Sequence, residues 1–434
     1  MKNKKRKSLV AVTHTHTHTH DTFSENKGRV TKNKTIKTKL VVSITILLVI
    51  LIIATTILLI WLNNEKNNKT ISEVEEVSMQ ASVDTGMWDT NSVTVVKDTS
   101  MGYEINVPIP KGYVMSNVTG ETEIKTGLVI YEGEEAVTDS NKDEAQKTRN
   151  QWVWVPVKAS EMYGTDENGK KWGKLYDFNS NGFTPLNWSE TNGVMKISGT
   201  GRYREPDIVR ERDTDNYLIR YTNNYETGHE LLKDVEIEFE SIIESVEKYG
   251  GFYIGRYETG NLSQEIPAIV KGNTDISDQT WYSMYEKCKR IDEENKTIKT
   301  SMIYGSQWDA TLKYLVESGS KTYEEVGEDS RSWGNYRNST FEYINESGST
   351  VTKSENADVR IPSGSSEYTK ANNIYDLAGN VYDWTVEADN SFGRVLRGGR
   401  YSFTATISPA GYRGYSYSVN SNNFFGYRAI LYIK

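Results

Sequence analysis

One stretch limits this 434-residue chain more than any other. LVVSITILLVILIIATTILLIWL, residues 40–62, runs for 23 residues without a charge. At a helical rise of about 1.5 Å per residue it spans the roughly 30 Å hydrocarbon core of a bilayer with some tilt. Trp61 stands at its far end, where an amphipathic ring suits the interface. A buried core helix would be shorter and less uniformly apolar. A cleaved signal peptide would have an apolar region of about 7–15 residues with small residues after it. This run instead ends Trp61-Leu62-Asn63-Asn64. The expectation is an uncleaved signal anchor in the cell membrane.

Charge sets its orientation. Residues 1–39 carry 11 Lys and Arg against Asp21 and Glu25, whereas Asn63–Gln80 holds Lys66 and Lys69 against four acids. The basic flank stays in the cytoplasm, so residues 1–39 read as a cytoplasmic tail and the remainder as extracellular. Beyond residue 39 the chain has 40 basic and 57 acidic residues, a net charge of −17. So acidic a body repels phosphate backbones, and no nucleic-acid partner is expected. In the tail, THTHTHTH (13–20) would set His14, His16, His18 and His20 on one face of an extended strand, a pattern able to hold a divalent metal. A solvated dipeptide repeat is the plainer reading and the one adopted.

Residues 63–100 are polar and acidic and read as a stalk, with the folded domain at 101–434. YEINVPIPKGYVM (103–115) and QWVWVPV (151–157) alternate like half-buried strands. The segment between them reads as a charged surface loop, and DENGKKWGKLYDFNSNGF and REPDIVRERDTDNY as irregular loops. VEIEFESIIESVEKYG (235–250) sets Ile237, Phe239, Ile242, Ile243 and Val246 at helical spacing and stops at Gly250. GGFYIGRYETG (250–260) reads as a strand; 277–291 and 306–318 read as helices, the second with Trp308, Leu312 and Leu315 on one face. After residue 370 helices give way to short strands and Gly/Asn turns. The fold class expected is α+β and loop-rich.

NIYDLAGNVYDWTVE and RVLRGGRYSF (373–403) form the densest motif. Gly379-Asn380 marks a tight turn in which a residue needs a left-handed conformation. Tyr382 and Trp384 alternate to one side of an extended chain and Asp383 to the other. Gly398-Gly399 permits close backbone approach, and Arg397 can fork onto a carboxylate or onto carbonyls.

The order of segments carries a resemblance. An IPKG-type strand, GGFYIGRYETG, a helix with YEKC, MIYGSQWDATLKYL, YDLAGNVYDW, RVLRGG and GYRAILYI follow one another. Over roughly 101–434 this resembles the formylglycine-generating enzyme (sulfatase-modifying factor) family, whose loop-rich domain has a C-type-lectin-like fold. The resemblance implies that domain behind one N-terminal transmembrane helix. It also implies a structural calcium site at Asn380, the backbone of Val381, and Asp383, where Asp stands in place of the usual Glu. Oxygen ligands at a turn suit such a hard cation.

Catalysis does not carry over. The family's copper members use a cysteine pair after the RGG motif, and its iron relatives use histidines. Here Cys288, the single cysteine, lies in the YEKC helix, and the outer domain's only histidine is His229, in the loop ETGHELL. One cysteine permits no intrachain disulfide and no dithiolate copper site. Neither copper nor iron is expected. What remains is RYSFTATISPAGYRGYSYSVNSNNFFGYR (400–428), dense in Tyr, Ser, Asn, Gly and Arg like a paratope. Diversified ligand-binding proteins of the C-type-lectin type resemble it here. Phe425, Tyr427, Ile430 and Tyr432 read as core. Arg400, Tyr401, Phe403, Arg413, Tyr415, Tyr417, Asn420, Asn422 and Asn423 read as a surface for an extracellular protein or glycan. A divergent metal-dependent oxidase and an envelope structural protein are the alternatives.

Overall fold

The computed structural model describes Thr55, Leu58 and residues 85–434, apart from 187, 199–201, 207–224, 390–392 and 419. The chain divides into Met1–Ala81 and Ser82–Lys434, and nearly everything described belongs to the second unit. The cytoplasmic tail with its His-Thr repeat, and almost all of the 40–62 span, lie outside the described residues. Among those described, no helix is long and apolar enough to cross a membrane.

The second unit is a mixed α+β fold weighted towards β. Its strands are β1 (Val93–Asp98), β2 (Ile105–Pro110), β3 (Tyr113–Met115), β4 (Val129–Glu132), β5 (Gln151–Pro156), β6 (Tyr203–Arg204) and β7 (Gly251–Gly255). They continue with β8 (Ile298–Met302), β9 (Tyr382–Asp389), β10 (Arg394–Arg397), β11 (Gly414–Ser416), β12 (Phe425–Tyr427) and β13 (Ala429–Ile433). Four helices matter here: α1 (Lys142–Thr148), α2 (Tyr225–Tyr249), α3 (Trp281–Cys288) and α4 (Gly305–Glu317).

The larger sheet is antiparallel, in the order β8-β13-β7-β5-β4-β3. Its central strands GFYIG and AILYI are buried at every position, which explains their short apolar runs. Helix α2 packs on β7 and β13. Val235, Phe239, Ile242, Ile243 and Val246 are its buried stripe, spaced i, i+4, i+7, i+8, i+11. Ile237, expected in that stripe, is instead 64% exposed. The helix also begins ten residues earlier than the apolar spacing suggested, so His229 lies within it and not in a loop. Helix α4 shows the opposite departure. Every residue from Gly305 to Leu315 is buried, polar ones included, so it is an interior helix rather than a one-sided one.

The stalk reading fails from Trp88 onward. That ring is 4% exposed, donates its N–H to the Lys248 carbonyl at 2.9 Å, and packs against Tyr249. Strand β1 then pairs with β2 from Val93 opposite Pro110 to Asp98 opposite Ile105. The charged loop likewise contains α1, and DENGKKWGKLYDFNSNGF contains two short strands, Lys171–Gly173 and Tyr176–Asn179.

The smaller sheet carries the YDW and RVLR segments. β9 lies between β6 and β10, β11 follows β10, and β12 joins β9 in parallel. Almost all of β9 is buried, so Asp383 is interior along with Tyr382 and Trp384. Phe425, Tyr427, Ile430 and Tyr432 are core, as their alternation predicts.

A candidate binding cleft braced by a buried asparagine

The turn at 379–380 is the frame of this region. Gly379 and Asn380 both have positive φ, 78° and 57°. A Cβ on Gly379 would overlap the Asn335 carbonyl, so only glycine fits. Gly379 N–H donates to the Gly398 carbonyl at 2.7 Å and Asn380 N–H to the Asn335 carbonyl at 2.9 Å. With its backbone fixed, the buried Asn380 amide makes four hydrogen bonds. Its Oδ1 accepts from Asn335 Nδ2 at 2.9 Å and from the Ile361 N–H at 3.0 Å. Its Nδ2 donates to Glu258 Oε2 at 2.6 Å and to the Ile361 carbonyl at 3.2 Å. Glu258 also accepts from the Val381 N–H at 3.2 Å. Burial, then Asp376 and Asp383, hold the Glu258 carboxyl well above its ordinary range, against the pull of Arg428.

The same asparagine fixes two walls of a cleft. Ile361 is held at both its N–H and its carbonyl, and the Asn380 carbonyl accepts from the Tyr401 N–H at 2.9 Å. Asn335 Nδ2 also donates to the Val359 carbonyl at 2.9 Å. Arg360 spans the wall, donating from Nη1 to Ser277 Oγ and to the Asn423 carbonyl at 3.0 Å. The cleft has a volume of about 270 Å³. Ile361 and Pro362 form its apolar side, and Arg360, Glu346, Tyr401, Asn423 and Thr274 its polar side. Among the described residues, the side chains of Glu346, Tyr401, Asn423 and Thr274 make no hydrogen bond within the chain. The cleft therefore presents unspent donors and acceptors on fixed backbone.

Next to Tyr401, Arg400 is clamped between two rings. Its guanidinium carbon lies 3.8 Å from the Phe424 centroid and 4.1 Å from that of Phe403. Its buried Nε has no partner among the described residues.

The expected surface residues thus separate. Tyr401 and Asn423 line the cleft; Arg400 and Phe403 form the clamp beside it. Tyr415 and Tyr417 are 46% and 42% exposed, with the Arg202 guanidinium 4.6 Å from the Tyr415 ring centroid. Asn420 Nδ2 donates to Ser416 Oγ at 3.0 Å, and the Asn422 carbonyl accepts from the N–H groups of Asp278 and Phe425. Arg413 departs from expectation altogether. Its side chain is 5% exposed and donates to Asp309, to Glu387 Oε1 at 2.8 Å and to the Tyr176 carbonyl at 2.6 Å. Arg397 meets the same acids, 2.7 Å from Asp309 Oδ1 and 3.7 Å from Glu387 Oε2. Two arginines and two acids make a closed ionic box in the interior, which leaves Arg413 no role at the surface.

Thr274, Glu346, Arg360 and Pro362 were not among the expected residues. They come from three separate loops and follow no periodicity. The one signal was local: an arginine two residues before a Pro-Ser-Gly turn.

Three other expectations bear on chemistry. Both partners of Asn380 Oδ1, the Asn335 side-chain amide and the Ile361 backbone, are N–H donors, and Asp383 Oδ2 faces Arg428 Nε at 3.4 Å. A calcium ion at Asn380, Val381 and Asp383 would have to displace the two donors at Asn380 Oδ1, whereas both carboxylate oxygens of the buried Asp383 lack a hydrogen-bond partner among the described residues. Among the described residues, no three His, Cys, Asp or Glu side chains are grouped to hold a metal. Cys288 is completely buried and donates to the Tyr285 carbonyl at 2.9 Å. Burial, reinforced by Glu238, pushes its thiol well above the usual range, the reverse of what a thiolate ligand needs. The His229 side chain lies outside the described residues.

No family model matches the chain, and no curated protein matches it. Among solved structures it is similar to Treponema denticola variable protein 1, at 14% identity and a TM-score of 0.28, over 42% of this chain and 84% of that one. It is also similar to CarF, at 11% identity and a TM-score of 0.27, over 42% of this chain and 87% of that one.

Proposed function

We propose that this chain is a single-pass membrane protein that displays a non-catalytic, formylglycine-generating-enzyme-like domain outside the cell and binds a protein or glycan there through its C-terminal loops. The reading rests on one observation. A cleft of about 270 Å³ joins Arg360 to Tyr401, Asn423 and Glu346, whose side chains make no hydrogen bond among the described residues, and Asn380 holds the backbone of Ile361 and Tyr401 in its walls. Ligand sites combine an apolar wall with a few well-placed polar groups on a pre-formed frame in this way. The segment order from GGFYIGRYETG to GYRAILYI supports the family reading, and the uncharged run 40–62 with its basic flank supports the anchor and its orientation.

The test is direct. The full-length protein is screened on glycan and extracellular-protein arrays, then compared with Tyr401→Ala plus Asn423→Ala and with Tyr415→Ala plus Tyr417→Ala. A ligand whose binding falls at least tenfold in the first double variant supports the cleft. Absence of any ligand, or binding unchanged in both double variants, overturns the reading.

A further inference from the structure

A second cleft, of about 340 Å³, lies where α2 faces the loop after α3 and the start of β8. Its wall contains Glu238, a residue only 8% exposed. One carboxylate oxygen is fully engaged: Oε2 accepts from Tyr285 Oη at 2.7 Å, Ser301 Oγ at 2.7 Å and Tyr304 Oη at 3.3 Å. The other, Oε1, has no hydrogen-bond partner among the described residues and is not sealed from solvent. Three hydroxyls therefore orient a buried acid so that its free oxygen opens on the cleft. Keeping an acid there is costly: burial raises the Glu238 pKa, with the Lys289 charge opposing.

The surroundings narrow the ligand. Ile237, 64% exposed on α2, and Ile291 and Ile298 supply the aliphatic part of its wall, beside Ser241 and Thr300. Asp234, Asp292 and Glu293 add negative charge around them. Three lysines, Lys289, Lys299 and Lys434, also line it; the Lys289 Nζ lies 4.3 Å from the Tyr285 ring centroid and within Coulombic reach of Glu238. We infer that this cleft receives a primary ammonium on an aliphatic stem, with the ammonium donating to Glu238 Oε1 and the stem lying along Ile237, Ile291 and Ile298. A lysine side chain and a free diamine both carry that chemistry.

Calorimetry on the full-length protein tests it with three probes: Nα-acetyl-lysine methylamide, 1,5-diaminopentane and, as a neutral counterpart, 1-pentanol. The lysine amide and the diamine distinguish a peptide from a free amine as the source. At least one should bind, and the alcohol should bind no more than a tenth as well. Glu238→Gln keeps an acceptor for the three hydroxyls yet removes the charge, so it should weaken amine binding by roughly ten- to a hundredfold. Lys289→Met removes the cation that acts on Glu238 and should tighten it several-fold; this arm needs no change to the buried acid. Equal binding of alcohol and amine, no binding of either amine, or weaker binding in Lys289→Met overturns the inference.

Discussion

Replacing Asn380 separates the backbone and side-chain contributions of the turn. Alanine at φ 57° meets the left-handed penalty, about 1 kcal/mol, which glycine escapes. Both substitutions delete the same four hydrogen bonds. The groups left behind are buried: Glu258 Oε2, Asn335 Nδ2, and the N–H and carbonyl of Ile361. An unsatisfied buried group costs about 1–3 kcal/mol, and some of these keep a second contact or collapse onto one another. Asn380→Ala should therefore lose about 3–6 kcal/mol and Asn380→Gly about 1 kcal/mol less. Against a total stability of about 5–15 kcal/mol these are large fractions. Urea unfolding of the full-length chain, followed by the fluorescence of the buried Trp308 and Trp384, measures both. Asn380→Ala costing under about 1 kcal/mol, or Asn380→Gly proving worse than Asn380→Ala, would refute the assignment of Asn380 as the brace of the cleft. In either variant, ligand binding should fall even while the protein is folded, because Ile361 loses its anchor.

Other outcomes follow from the interior. Arg413→Ala leaves Asp309 and Glu387 short of a buried partner and should cost about 3–5 kcal/mol by denaturant titration; Arg413→Lys should recover only part, because three separate guanidinium nitrogens are in use. Burial pushes Glu205 up to about 8, with the donor at Ser306 opposing and Glu387 reinforcing it. The folded chain thus keeps a proton that the unfolded chain loses near 4.5, so stability should fall as pH rises from about 4.5 to about 8, and Glu205→Gln should flatten that slope in thermal melts. The Cys288 thiol should resist iodoacetamide in the native protein and react once urea unfolds it; native-state labelling at a free-thiol rate would contradict its burial. Elemental analysis of the purified chain should find no stoichiometric copper or iron.

Local features of the fold were legible, and features assembled over distance were not. The positive φ values at Gly379 and Asn380 follow from the residue types, whereas Arg397 meets a carboxylate through one hydrogen bond from Nη2 to Asp309 and not through a fork. Helical spacing located α2 and its stripe, and applied strictly it excludes Ile237: Val235 lies four residues before Phe239 on the same face, whereas Ile237 lies two before it on the opposite face. Arg413 looked like a surface residue among tyrosines and serines. Its partners Glu387 and Asp309 are 26 and 104 residues away, and nothing local announces them. The first cleft was half legible for the same reason. Tyr401 and Asn423 sit in an aromatic, polar segment, whereas Thr274, Glu346 and Arg360 reach it only through the contacts of Asn335 and Asn380 and through loop backbone. The span 63–100 misled because its strand is short and polar on its outer face; its pairing with β2 and the burial of Trp88 become visible only in three dimensions.

Strand β13 lies one in from the edge of the six-stranded sheet, between β8 and β7, yet it is the latest of the six in chain order. A ribosome must therefore deliver Ile433 before the sheet can close. Until then β7 and β8 have no strand between them and α2 has only part of its seat. Strands β3, β4, β5 and β7 pair in chain order and can assemble as they are made, but β8 must wait for β13. The same wiring leaves a product truncated a few residues early with β8 undocked and α2 partly uncovered.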